Sequence, residues 1–267
     1  MTQTDAAFSG KIPENYENQM VPMIFEPYAL DMADRVAKYS PKRILELAAG
    51  TGALTRELAV RIPDVEVVAT DISPAMIEKA QHLIKRPNVT FGVADATNLP
   101  YPDGSFDVVT SQFGAMFFPE RVTAFRHVHR VLRDGGAFLF STWNEVFRNP
   151  VFKVICKTYK ESSGGQACYL ERLVFAYFDD NDIKKDLHAA GFDKVDVYKV
   201  AKTTKIHSAA AVLDALVMGS PLGGDFDALG RDRGAHVREE IFEALTTACG
   251  DGQFDNEMSA LVVETKK

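Results

Sequence analysis

Cysteine is scarce in this chain: Cys156, Cys168 and Cys249 are the three in 267 residues. They are too few and too scattered for a disulfide framework, so a reducing, cytoplasmic setting is expected. No histidine cluster accompanies the nearest pair, and its spacing is not that of zinc ligands, so no metal is expected. Long apolar runs are missing as well. Nothing approaches the roughly 18 residues that a membrane-crossing helix needs. Met1 to Gly10 is polar and has no basic segment followed by an apolar stretch, so no secretory signal is read. Positive charge is in deficit, with a formal net charge of −7. That balance disfavours nucleic acid, whose binders carry basic surfaces. One run departs from it, Arg121 to Arg133, with Arg126, His127, His129, Arg130 and Arg133. It reads as a basic patch or as the solvated face of a helix.

What is present is enough apolar material, 46% of the residues, to fill a sizeable core. The length suits one domain with an appended lobe. Residues 1–19 are polar and read as a mobile arm, followed by a helix from Pro27 to Tyr39. Apolar runs then alternate with helical spacing. Strands are expected at Arg43 to Ala49, Val65 to Thr70, Val89 to Ala94, Phe106 to Phe113 and Ala137 to Thr142. Helices are expected between them, one capped by Ser73 with Pro74 in its first turn. Asp134-Gly135-Gly136 reads as a turn. This alternation argues for βαβ units and a largely parallel sheet, with every strand's C-terminal end on one rim. After Trp143 the pattern turns helical and aromatic, broken at Ser162 to Gly165. Helices at Asp180 to Ala190, Ser208 to Met218 and His236 to Ala248, a loop at Gly219 to Gly224, and strands at Lys194 to Thr204 and Met258 to Thr265 complete it.

Three features of the rim residues carry chemistry. Gly50 and Gly52 flank Thr51 after the first strand, where glycine lets backbone approach a ligand or simply makes a tight turn. Asp71 ends the second strand, a poor place for packing a carboxylate. It suits a ribose diol or the start of the next helix. Asp95 repeats the arrangement after the third strand and can meet an adenine amino group or cap Thr97 and Asn98. A dinucleotide fingerprint is only partly matched, because Leu54 and Thr55 stand where its third glycine would be.

Five segments in order, Ile44 to Gly52, Thr70 to Met76, Ala94 to Pro100, Ser105 to Val109 and Arg130 to Gly136, resemble the successive motifs of the class I, seven-strand S-adenosylmethionine-dependent methyltransferases. The likeness is to their small-molecule and quinone-type branch and covers about residues 40–145. It implies an α/β fold: a doubly wound, mostly parallel seven-strand sheet with the last strand antiparallel, plus a helical cap lobe. It implies an N-terminal arm and helix over 1–40, a Rossmann-like cofactor core over 41–145, and cap helices with sheet-completing strands over 146–267. It further implies that Glu46, Ala48, Gly50 and Gly52 line the methionine part of the cofactor, and that Asp71 holds its ribose. Ile72 and Met76 would lie against the adenine, with Asp95 and Ala96 at its edge. Gln112 and Phe113 would approach the sulfonium, and Tyr16 would cover the whole.

The acceptor is expected to be small and apolar or aromatic, in a pocket drawn from Phe117, Phe118, Trp143, Phe147, Tyr159, Tyr169 and Tyr177, with Phe117, Trp143, Tyr159 and Tyr177 foremost. The same aromatics would also serve as a core for the lobe. Ser111 to Gly114 replaces the Asn/Asp-Pro-Pro-Tyr/Phe motif of enzymes that methylate exocyclic base nitrogens, which argues against that chemistry. No histidine is placed as a general base, so no catalytic residue is assigned. Three other readings stay open: a non-catalytic S-adenosylmethionine-binding protein, a nicotinamide-dependent oxidoreductase, and a methyltransferase acting on protein or RNA. The oligomeric state is not legible.

Overall fold

The computed structural model describes residues 8–267; the expectations for residues 1–7 lie outside these. The chain enters through α1 (Ile12–Asn15), wide π-type turns over Tyr16–Phe25, and α2 (Glu26–Ala37). The core then alternates β1 (Arg43–Leu47), α3 (Ala53–Arg61), β2 (Glu66–Asp71), α4 (Pro74–Leu83), β3 (Val89–Val93), β4 (Phe106–Gln112), α5 (Arg121–Val131) and β5 (Leu132–Trp143). After it come α6 (Pro150–Ser162), a π-type turn at Leu170–Val174, α7 (Asp180–Ala189), β6 (Val195–Ile206), α8 (Ala209–Gly219), α9 (Leu222–Ala228), α10 (Arg231–Cys249) and β7 (Phe254–Lys266).

The seven strands form one sheet in the order β3-β2-β1-β4-β5-β7-β6. β1 to β5 are parallel, and β7 runs antiparallel to both of its neighbours. The two-residue period of the strands feeds two cores. Ile44, Val67, Val108, Leu139 and Val262 pack under α2 and α3. Leu45, Val68, Val109, Phe138, Phe140 and Val263 face the other way, toward α5, α7 and the C-terminal lobe. Burial on both faces is why these strands read as nearly continuous apolar runs.

Strand order reverses between β1 and β4, the place where α/β sheets open a crevice beyond the strand ends. There Ala48 and Phe113 both take left-handed backbone, φ 54° and 53°. Gly114 sits between them and the sheet. A Cβ on it would stand 2.5 Å from both the Ala48 Cβ and the Ser111 Oγ, so only a bare Cα lets the two loops meet.

Local reading failed in three places. The arm expected over residues 1–19 is helical from Ile12 on in its described part, with Pro13 buried. β5 begins at Leu132, which pairs with Phe106 before Arg133 to Gly136 bulge out of register; the expected turn survives as that bulge, with Gly135 at φ 74°. The loop expected over Gly219 to Gly224 shrinks to Ser220 and Pro221, with Gly219 ending α8 and Leu222 to Gly224 opening α9. Burial of Leu222 and Phe226, one turn apart, outweighs the poor helix propensity of Gly223 and Gly224. Among the described residues no helix is long and apolar enough to cross a membrane. Nor does any group of three His, Cys, Asp or Glu side chains gather to hold a metal ion.

Gly114→Ala is expected to destabilise the fold by about 1–3 kcal/mol, the usual range for overpacking. A urea midpoint equal to that of the parent chain would show that the β1 and β4 loops are not so tightly apposed.

Candidate active site

One cavity opens over the C-terminal ends of β1 to β5. Its polar end is built from strand-end loops. The Asp71 carboxylate accepts from Gly50 N at 2.8 Å and from Ser73 N at 2.8 Å. Asp71 also lines the cavity. Burial raises the Asp71 carboxyl above its ordinary range, and the N–H groups of Ser73, Gly50 and Ile72 pull it back. Ile72, Met76, Ala94, Asp95 and Ala96 continue this wall. Asp95 Oδ1 accepts from Thr97 N at 2.8 Å and Thr97 Oγ1 at 2.7 Å, so the capping role is real. Its second oxygen is outside those bonds, and the residue still lines the cavity.

Ala48, Gln112 and Phe113 form the floor at the switch point. Gln112 Nε2 donates to Phe25 O at 3.2 Å, which fixes the amide's orientation. Its Oε1 is buried with no partner among the described residues, a fixed acceptor that calls for a donor. Phe113 stacks on Trp143 at 4.2 Å between ring centroids. Tyr16 lies over the glycine loop: a Cβ on Gly50 would sit 3.7 Å from its ring. It stacks on Phe25 at 5.0 Å. Burial, chiefly, and then Asp71 push the Tyr16 phenol well up, so it stays protonated and acts as a donor.

Two expected cofactor residues stand behind the cavity rather than on it. Gly52, at φ 87°, precedes α3, and a Cβ there would reach within 2.5 Å of Ile84; its glycine serves the turn. Glu46 is buried beneath the loop and accepts from Thr55 Oγ1 at 2.6 Å. Burial pushes its carboxyl up to about 8, helped by Asp71 and opposed by Thr55 and Arg56.

The apolar end holds Phe117 and Trp143, as expected, with Phe118 and Tyr169. Tyr159 and Tyr177 are elsewhere. Tyr159 OH donates to Asp225 O, packing α6 on α9. Tyr177 OH donates to Asp186 under the Arg121 guanidinium, joining α5 to α7. Phe147 is 65% exposed. In their place stand residues the sequence reading passed over. Phe8, Met20, Ile24 and Phe25 come from the N-terminal segment, Met116 from beyond β4, and Phe152, Leu170, Val174, Leu216 and Ser220 from the lobe. The spacing of Met20 and Ile24, one helical turn apart, is the one local signal that could have found any of them. No lysine, arginine or histidine lines the cavity among the described residues. The arginines of the basic run, on α5 and at the start of β5, are bonded within the chain: Arg126 donates to Ala189 O, Arg130 to Leu99 O and Tyr101 O, and Arg133 pairs with Asp107.

This geometry coincides with the comparisons to known proteins. A family model for a methyltransferase domain matches residues 44–136. A demethylmenaquinone methyltransferase of Deinococcus radiodurans is 33% identical over 166 residues, covering 58% of this chain and 69% of the relative. The chain belongs to the class I S-adenosylmethionine-dependent methyltransferases. A malonyl-[acyl-carrier protein] O-methyltransferase of Geobacter sulfurreducens is 31% identical over 159 residues, 59% of this chain and 58% of that one. A phosphoethanolamine N-methyltransferase of Haemonchus contortus, solved with S-adenosylhomocysteine, shares the fold. Its TM-score is 0.61 at 17% identity, over 96% of this chain and 57% of that one.

The methyltransferase's polar end fits its cofactor. Asp71 offers two acceptor oxygens to a diol, Tyr16 covers Gly50 beside them, and Gln112 Oε1 lacks a donor among the described residues. Asp71→Asn should weaken S-adenosylhomocysteine binding at least about tenfold, the scale of one lost charged hydrogen bond. Calorimetry showing parental affinity in a folded variant would remove Asp71 from the site. Glu46 makes a separate pH prediction. Its carboxyl lies near 8 in the native chain against an ordinary 4.5. Between those values the native state holds a proton that the unfolded state releases, so stability falls as pH rises through that window and levels above it. Glu46→Gln should flatten the loss of unfolding free energy between about pH 5 and pH 8.5, by up to several kcal/mol at about 1.4 per unit. Parallel curves for parent and variant would contradict the assignment.

Proposed function

We propose that this methyltransferase methylates a neutral, apolar or aromatic small molecule. The observation that carries the reading is the acceptor end of the cavity, walled by Met116, Phe117, Phe118, Phe152, Leu170 and Val174 with no cationic side chain among the described residues. An anionic acceptor would need a cation there, and burying its charge without one is costly. The apolar wall therefore favours an acceptor of the kind named for the Deinococcus relative over the carboxylate implied by the malonyl one.

Bound S-adenosylmethionine supplies a methyl group already activated on a sulfonium. The chain's residues hold and enclose. Asp71 anchors the polar end, and Gln112 offers its fixed oxygen at the floor. Tyr16, Met20, Ile24 and Phe25 roof the cavity and keep water out. Alignment of this kind can be worth about 7–11 kcal/mol. Burial raises the Tyr169 phenol, as it does that of Tyr16, so both remain donors. Neither can take a proton at neutral pH. The acceptor atom must then be nucleophilic while neutral, such as an electron-rich ring carbon, whose proton is lost to solvent once the methyl group has arrived. In this reading residues 41–145 bind the cofactor, and the N-terminal helices with residues 146–267 shape the acceptor end. Three free thiols support a reducing compartment.

Incubation of a native small-molecule extract with methyl-labelled S-adenosylmethionine tests the proposal. The label should pass into an organic-phase product that carries no charge. Label confined to anionic products would overturn it.

A further inference from the structure

The roof of the cavity is tied down by a side chain that the reaction does not use. Tyr16 faces the cavity, and Glu17 beside it reaches the glycine loop instead. One Glu17 oxygen accepts from Thr51 Oγ1 at 2.5 Å, and the other pairs with the Arg56 guanidinium at 3.0 Å. Arg56 also donates to Thr51 O at 3.3 Å, which closes a three-residue ring of bonds around the loop. Thr51 is fully buried, and the Glu17 side chain is 15% exposed. Neither Glu17 nor Arg56 lines the cavity.

The same segment is held at four further points. Ser73 Oγ donates to Phe8 O at 2.9 Å, Asn15 Nδ2 to Met218 O at 3.2 Å, Thr204 Oγ1 to Met23 O at 2.7 Å and Gln112 Nε2 to Phe25 O at 3.2 Å. Those ties are neutral single hydrogen bonds, that of Asn15 exposed. The Glu17 cluster is charge-assisted and largely shielded, so it is the strongest of the five. It also acts where it counts: Thr51 lies between Gly50, under the Tyr16 ring, and Gly52 at the start of α3.

We infer that Glu17 is a latch, a positioning residue that holds the N-terminal roof on the glycine loop and sets the rate at which the cofactor product leaves. The inference rests on the cofactor occupying this cavity. Opening the roof at its Tyr16 end requires the Glu17 bonds to Thr51 and Arg56 to break, while Gln112 keeps its bond to Phe25 O and Asp71 keeps its place in the cavity wall.

The test is release of radiolabelled S-adenosylhomocysteine from the full chain, chased with unlabelled compound and trapped on filters. Glu17→Gln and Arg56→Gln should each speed release about tenfold or more, equal to about 1.4 kcal/mol. The double variant should release no faster than the faster single one, since both break one latch. Glu14→Gln, an exposed change on α1, is the control and should release like the parent. Release within about twofold of the parent in both latch variants would overturn the latch. If Glu17→Gln fails to fold, Arg56→Gln and Thr51→Val carry the same comparison. A parent chain that retains no labelled compound would instead count against the cofactor site itself, and the latch would fall with it.

Discussion

The carboxylate of Asp71, held by the N–H groups of Gly50 and Ser73, fixes the mouth of the sheet. A carboxylate at the end of a buried strand is costly unless its charge is met by donors. Here the donors come from two different loops, one after β1 and one after β2. The bond that makes the charge tolerable therefore also sets the distance between the loops that must receive a ligand. From them the order spreads outward. Ser73 holds Phe8, Thr51 holds Glu17, and the segment between carries the side chains that roof the cavity.

The acceptor end depends on a second constraint, the close approach of the β1 and β4 loops. Ala48 and Phe113 both occupy left-handed backbone, which costs an ordinary residue about 1–2 kcal/mol. Phe113 N donates to both Ser141 O and Ser141 Oγ at 3.1 Å, and its ring lies flat on Trp143. Strain at the strand tips is thus offset by hydrogen bonds and stacking from β5. The result places the Gln112 oxygen and an aromatic floor side by side at the switch point, where a polar donor group and an apolar acceptor can meet.

Much of the cofactor half was legible because its signals are local. Ser73 accepts from Met76 N as the Ser-Pro pair implied, and Asp71 stands at a strand end as the apolar run before it required. The alternating apolar runs marked all five parallel strands of the core to within a few residues, except for the bulge that brings Leu132 into β5. The acceptor half was not legible in the same way. Tyr159 and Tyr177 are as aromatic as Tyr169 and more deeply buried, but their hydroxyls are taken by Asp225 and Asp186. Which of three tyrosines reaches the cavity is decided by partners on other elements, α9 for Tyr159 and α7 for Tyr177, and periodicity carries no trace of that. Likewise Glu46 and Gly52 belong to the recognised glycine motif, but one is drawn under the loop by Thr55 and the other serves the start of α3.

The most direct measurement of the central claim is a crystal structure of the chain with S-adenosylhomocysteine bound. Both ribose hydroxyls should lie within hydrogen-bond distance of the Asp71 carboxylate, with the sulfur turned toward Gln112 and the aromatic wall. A nucleoside seated away from Asp71, or a sulfur facing away from that wall, would contradict the account.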